Sequence, residues 1–336
     1  MSWRNILGHD KLLKRFQLAL RRGRLAGSFL FVGPAGVGKR RFAFALAQGL
    51  LCRTSTDLAP CGTCNSCRLF NASPNVTDWS FDKNFLSPHP DLYYVCKPED
   101  KSTLPVELIV GDKKQRGKSG MCYDISRTPF IGRRKVAIIN DADFFRQEAA
   151  NALLKTLEEP PSDSVIILIG TSTAKQLPTI RSRCQVVRFS LLPDDVLAKL
   201  LVEQNIVSSL EQARQLAVQA EGSLETAAEL LDNDIEALRR DVAQYLSAQS
   251  VDAVGFAAKA IQYVEAASKE PQVKRKRLRL LLNLSAEFFR NQMKNADETI
   301  IAAKHLERTL DALGQVDRNV NLPLIVEAWS IGLEMV

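Results

Sequence analysis

Histidine is scarce: the 336 residues hold 3, and no Ser-His-Asp or Cys-His arrangement can be read around them. Chemistry through a base-activated serine or thiol therefore has little scope. Long apolar runs are missing as well. No stretch reaches the roughly 18 residues that a membrane-spanning helix needs, so no membrane partner is expected. The opening segment, MSWRNILGHDKLLKRF, lacks an apolar core and a small-residue cleavage site, so it does not read as a signal peptide. Without secretion, the N-x-[ST] triplets headed by Asn71 and Asn75 carry no meaning. A cytoplasmic location follows, with cysteines reduced unless a metal claims them. No internal repeat or low-complexity tract is present, and 46% hydrophobic residues exclude disorder.

At this length the chain suits two or three domains. Lys plus Arg total 45 against 38 acidic residues, a formal +7 with pI ≈ 9.0. That excess permits contact with nucleic acid or an acidic partner without requiring either. Over residues 1–190, runs at 28–32, 91–95, 135–139, 165–169 and 185–189 read as buried strands. Helical periodicity covers 11–22, 39–51 and 145–157, the last closed by Pro160 and Pro161. The alternation predicts an α/β module, a parallel sheet flanked by helices. Residues 71–90 and 97–120 read as surface insertions, the second a solvated basic loop with Lys113, Lys114, Arg116 and Lys118. From Leu192 strand signals vanish. Helices at 193–203, 210–220 and 224–231 make a small all-α unit over 191–245, and longer amphipathic helices, including 273–293 and 299–313, fill an all-α domain over 246–336. The run Lys274, Arg275, Lys276, Arg277 and Arg279 reads as a solvated helix face.

Residues 33–40, GPAGVGKR, match the phosphate-loop pattern G-x-x-x-x-G-K-[ST] except at the last position. Gly33, Pro34, Ala35, Gly36, Val37, Gly38, Lys39 and Arg40 are thus the candidate nucleotide-binding residues. The turn and the following helix start offer backbone N–H groups to phosphate oxygens, and the lysine adds a point charge. Arg40 sits where a hydroxyl would hold Mg²⁺. Strand 135–139 ends in Asn140 and Asp141, where a P-loop ATPase carries a metal-binding carboxylate and then one that polarises water. Two departures on one ion predict weak or non-hydrolysed ATP or ADP.

Cys52, Cys61, Cys64 and Cys67 form C-x₈-C-x₂-C-x₂-C. Four thiolates complete a tetrahedron and leave no open position, so one structural Zn²⁺ is expected. Cys96, Cys122 and Cys184 lack such spacing and read as small core residues. Arg183 follows a short helix at the edge of the phosphate-loop domain. From there an arginine can reach the γ-phosphate in a neighbouring subunit, or pair locally with an acidic side chain.

The order GPAGVGKR, CGTCNSC, HPD at 89–91, NDAD at 140–143, NALLKTLEEPP at 151–161 and SRC at 182–184 resembles the bacterial clamp-loader branch of the AAA+ ATPases. Within it the chain is most similar to the delta-prime type, with the gamma/tau type as sibling. The resemblance implies a RecA-like AAA+ module with a zinc module at 52–67, a helical lid and a helical collar that joins five subunits in a ring. It implies gamma/tau and delta subunits, the sliding clamp and primer-template DNA as partners. It makes Cys52, Cys61, Cys64 and Cys67 the zinc ligands, and Arg183 an arginine finger acting in trans on ATP held by a gamma-type neighbour. An active loader ATPase would carry Ser or Thr at 40, Asp-Glu at 140–141 and an arginine after the Gly-Ser at 222–223, where Glu225 falls. All three losses concern the chain's own site. The expectation is a stator; the alternative is a gamma/tau-type ATPase hydrolysing ATP in its own loop.

Overall fold

A computed structural model describes residues 6–55, 57–72, 89–98, 101–112, 114, 117–231, 233–247, 253–266, 271–293, 299–317 and 320–334. It parts into two compact units, residues 1–228 and 229–336.

The first unit is built on five parallel strands: β1 (Ser28–Val32), β2 (Leu92–Val95), β3 (Lys135–Ile139), β4 (Ser164–Gly170) and β5 (Gln185–Arg188), in the order β2-β3-β4-β1-β5. Successive side chains of a strand point to opposite faces, and here both faces are covered. Phe29 and Phe31 of β1 enter a core with Phe16 of α1 (Asp10–Arg21) and Phe42 of α2 (Lys39–Leu51). Leu30 and Val32 enter the other, with Leu153 and Leu157. That double burial is why the central strands β1, β3 and β4 read as nearly continuous apolar runs. The Phe42 ring meets Phe31 and Phe189 edge to face, at 5.9 and 5.4 Å between centroids, in an aromatic cluster beside the phosphate loop.

Among the described residues the α/β part also holds five α-helices, α3 (Asn65–Asn71), α4 (Glu107–Val110), α5 (Met121–Ser126), α6 (Gln147–Glu158) and α7 (Pro178–Arg181), and a 3₁₀ turn at Ala142–Phe144. Helix α6 stops just short of Pro160, as its sequence requires. The segment 97–120 departs from a plain surface insertion. It contains α4, its Leu104 and Ile109 are buried in the second core, and Leu104 N–H donates to Phe144 O at 3.0 Å. Two apolar side chains spaced for burial were masked by the surrounding lysines and glycines. Residues 73–88 of the first insertion, with Asn75, and Lys113 and Arg116 of the basic loop lie outside the described residues. Helices α8 (Asp194–Glu203), α9 (Leu210–Gln219) and α10 (Leu224–Leu230) follow β5.

The second unit comprises α11 (Asn233–Leu246), α12 (Ala253–Glu265), α13 (Pro271–Gln292), α14 (Thr299–Asp317) and α15 (Leu322–Glu334). Its core gathers Phe256, Leu278, Leu281, Leu282, Phe289, Ile325 and Trp329. The basic run is more than a solvated face. Arg275 Nη1 donates to Val316 O and Val320 O at 3.4 and 3.3 Å, and Arg277 Nη1 donates to Tyr263 O at 3.0 Å. Carbonyls at and beyond a helix end lack intrahelical donors, and these guanidinium groups supply them.

Candidate functional site

The phosphate loop runs from the end of β1 into α2, so the first N–H groups of that helix lie at the strand's C-terminal edge. Gly38 makes the left-handed step, φ +89°, into the helix. His9 Nε2 donates to Val37 O at 2.7 Å, Ser223 Oγ to Ala35 O at 3.2 Å, and Leu224 N–H to Gly36 O at 3.1 Å. Gly36, at φ +70°, has no room for a side chain: a Cβ would lie 2.2 Å from Ser223 Oγ and 2.6 Å from the Glu225 nitrogen. The start of α10 therefore packs directly on the loop. A cavity of about 730 Å³ opens there, lined by Lys39, Arg40, Asn140, Asp141, Asp143 and Glu225 among others. Lys39 is buried, and its Nζ donates to Gly33 O at 2.6 Å and to Pro34 O. Burial pushes its ammonium down to about 8, against the pull of Asp143 and Glu225. It stays mostly charged at pH 7, so this cradle fits the phosphates of a nucleotide once Lys39 exchanges its carbonyl partners.

The magnesium side does not fit. Mg²⁺ takes oxygen ligands in octahedral geometry, and Arg40 brings a cation to the hydroxyl position, near Tyr94 of β2. Asp141 adopts φ +59°, and its Oδ2 accepts from the Lys97 N–H at 3.3 Å. Asp143 accepts from Thr171 N–H and Oγ1 at 2.8 and 2.7 Å and from Gln176 Nε2. The carboxylates beyond β3 are thus engaged by the chain's own donors.

The four cysteines that the spacing singled out converge. All their Sγ atoms lie within 4.8 Å of one another, and Cys52–Cys64 and Cys61–Cys67 are each 3.9 Å apart. A tetrahedron of about 2.3 Å metal–sulfur bonds has an edge of about 3.8 Å, so the cluster can hold a metal ion of zinc's geometry. Gly62, at φ +76°, makes the turn that aims the Thr63 and Cys64 N–H groups at Cys61 Sγ, at 3.4 and 3.3 Å. Hydrogen bonds, led by the Thr54 hydroxyl, lower the Cys61 thiol to about 5, while burial raises that of Cys67. A dication would favour the thiolate at all four.

The HPD segment braces this module. Ser66 Oγ of α3 donates to Leu51 O at 2.9 Å and accepts from His89 Nε2 at 2.8 Å, and His89 Nδ1 accepts from the Asp91 N–H at 3.1 Å. Asp91, fully buried, accepts from the N–H groups of Phe130, Ile131 and Gly132 at 2.7, 2.8 and 2.7 Å. Burial alone would raise its pKa, but those N–H groups together with His89 hold it below the usual range.

The family model described as "DNA polymerase III, delta subunit" matches residues 8–193, more than half of the chain. The chain belongs to this DNA polymerase III subunit family. As a delta-prime-like clamp-loader subunit it is 36% identical over 163 residues to the DNA polymerase III subunit delta' of Pseudomonas aeruginosa, covering 48% of this chain and 43% of that one. It is 32% identical over 245 residues to subunit tau of Escherichia coli, covering 70% of this chain and 33% of the relative. These matches span less than half the length of either relative. A solved gamma-subunit-related protein of Thermotoga maritima aligns with TM-score 0.45 at 18% identity, covering 96% of this chain and 98% of the other. No helix among the described residues is long and apolar enough to cross a membrane.

In this clamp-loader chain Arg183 lies apart from the phosphate-loop cavity's lining. Its side chain is 30% exposed and pairs with Glu158 of α6, so the local partner that the sequence left open is present. The sequence motifs contain Glu158 and Ser223 without revealing their partners, and nothing local marks His9, Thr171 or Gln176. Each acts through a partner 25 or more residues away in sequence, a relation no local spacing records. The scarce histidines have a common character: burial lowers the pKa of His9, His89 and His305. Their neutral forms stabilise the fold above the unfolded value of 6.5, and this contribution is lost as pH falls below it, because the unfolded chain binds the protons more readily. Asp91 adds a second loss below its unfolded value of 3.8. The urea midpoint should therefore fall between pH 7.5 and 5.5, and His9→Gln, which keeps a donor for Val37 O, should shrink that fall. An equal fall in wild type and variant would contradict the assignment.

Proposed function

We propose that this chain is the stator of a pentameric clamp loader: it does not turn over ATP itself, but completes an ATP site in trans on a gamma/tau-type neighbour through Arg183. In this reading the helices α8–α10 form the lid, the second unit, which includes α11, is the collar that joins the ring with gamma/tau and delta subunits, and the whole assembly opens the sliding clamp and sets it on primer-template DNA. Cys52, Cys61, Cys64 and Cys67 hold one structural Zn²⁺. The observation that carries the reading is the contrast between two places. Arg40 and Asn140 replace magnesium ligands in the chain's own site, with the neighbouring carboxylates tied to Lys97, Thr171 and Gln176. Arg183 remains, part-exposed, outside that site.

A second reading, a gamma/tau-type ATPase, is favoured by one feature: the retained glycine loop, Lys39 and the cavity beside them. Steady-state hydrolysis by the purified chain separates the two. The stator shows no turnover above background, and any bound ATP or ADP should be held about equally with Mg²⁺ or EDTA, since Arg40 and Asn140 supply no anionic ligand and Asp141 and Asp143 are already engaged by Lys97, Thr171 and Gln176. Turnover by the isolated chain that Lys39→Ala abolishes would sink the stator.

A further inference from the structure

The geometry points to Glu158 as a latch on the Arg183 guanidinium, a positioning residue that holds the finger within its own subunit until a phosphate of the neighbour's nucleotide displaces the carboxylate. The inference rests on the trans-acting role of Arg183 proposed above. Glu158 is the last residue of α6, and Arg183 lies between α7 and β5. Arg183 Nε donates to Glu158 Oε1 at 2.5 Å and Nη2 contacts the same oxygen. Nη1 donates to Thr179 O at 3.0 Å and to Ser182 Oγ at 3.3 Å. Every guanidinium nitrogen thus has a partner inside the subunit. Arginine grips a phosphate through two parallel N–H groups on adjacent nitrogens. Both such forks, Nε/Nη2 and Nη1/Nη2, include a nitrogen held by Glu158.

Helix stability gives no reason for this carboxylate. The C-terminal end of a helix dipole disfavours an anion, and Glu159 follows directly. The pair is also 30% and 48% exposed, so solvent screening keeps it weak enough to exchange. A fully buried pair could not be opened so cheaply, because removing one partner strands the other's charge. The latch therefore holds the finger while the neighbouring site lacks triphosphate and yields when a more highly charged oxygen cluster arrives.

The test is ATP turnover by the reconstituted loader carrying Glu158→Gln, which removes the charge and keeps an acceptor. Opening a half-exposed ion pair no longer opposes binding, so KM for ATP should fall about two- to fivefold with kcat held, and Glu158→Gln/Arg183→Ala should match Arg183→Ala alone. A merely structural tie between α6 and α7 would move the thermal midpoint and leave KM in place. An unchanged or raised KM overturns the latch. Intact turnover in Arg183→Ala overturns the trans-acting role itself, a separate and distinguishable result.

Discussion

Arg183→Ala in the reconstituted loader should lower ATP turnover by about a thousandfold or more, the range over which arginine fingers act on phosphoryl transfer. In the proposed role the guanidinium would meet charge developing on the γ-phosphate oxygens, and such a preorganised cation acts most strongly where water is excluded. Arg183→Lys should recover little, because a lysine supplies a point charge without the planar fork. The substitution should leave the chain folded. The ion pair it breaks is partly open to solvent, and such pairs contribute about 0–1 kcal/mol. Circular dichroism of the isolated variant checks that point, and turnover by the complex checks the role. Undiminished turnover would remove Arg183 from the chemistry.

Loss of the metal site should have the largest effect on stability. Purified protein should carry about one equivalent of zinc by elemental analysis, because the fold brings the four thiols within 4.8 Å of one another and a site preassembled in the native state binds metal there. Cys64→Ser should abolish that equivalent. Cys64 also caps α3, its Sγ accepting the Cys67 N–H at 3.5 Å, and Ser66 of α3 joins the module to Leu51 and His89. Disorder in the turn would therefore spread to the end of α2. A loss of about 3 kcal/mol, or roughly 6–12 °C in thermal midpoint for a domain of this size, is expected. Cys96→Ser, outside the cluster, should retain the metal. A metal-free sample with an unshifted midpoint would show that the thiols do no structural work.

Local signals revealed a good deal. The apolar runs located β1, β3 and β4 because both faces of those central strands are buried, while the edge strands β2 and β5, half-buried or with Gln185 and Arg188 exposed, were read from their β-branched and aromatic residues. The glycine loop, the cysteine spacing and the substitutions at Arg40 and Asn140 were legible because each is a short segment whose chemistry depends on order along the chain. The segment 97–120 was misjudged for a related reason. Its lysines and glycines dominate a composition-based reading, while Leu104 and Ile109, the residues that decide its placement, are few.

The sequence alone thus determined the α/β class of the first part, the helical character of the rest, the candidate phosphate loop and the cysteine quartet, because these follow from periodicity and residue type over short spans. Tertiary structure decided what each charged group faces. It placed Asp143 against Thr171 and Gln176, Ser223 on the phosphate loop, Asp91 under the 130–132 turn and Glu158 on Arg183. Those pairings depend on strand order and on where helices end, and a carboxylate's chemistry is set by the donors around it rather than by its neighbours in sequence.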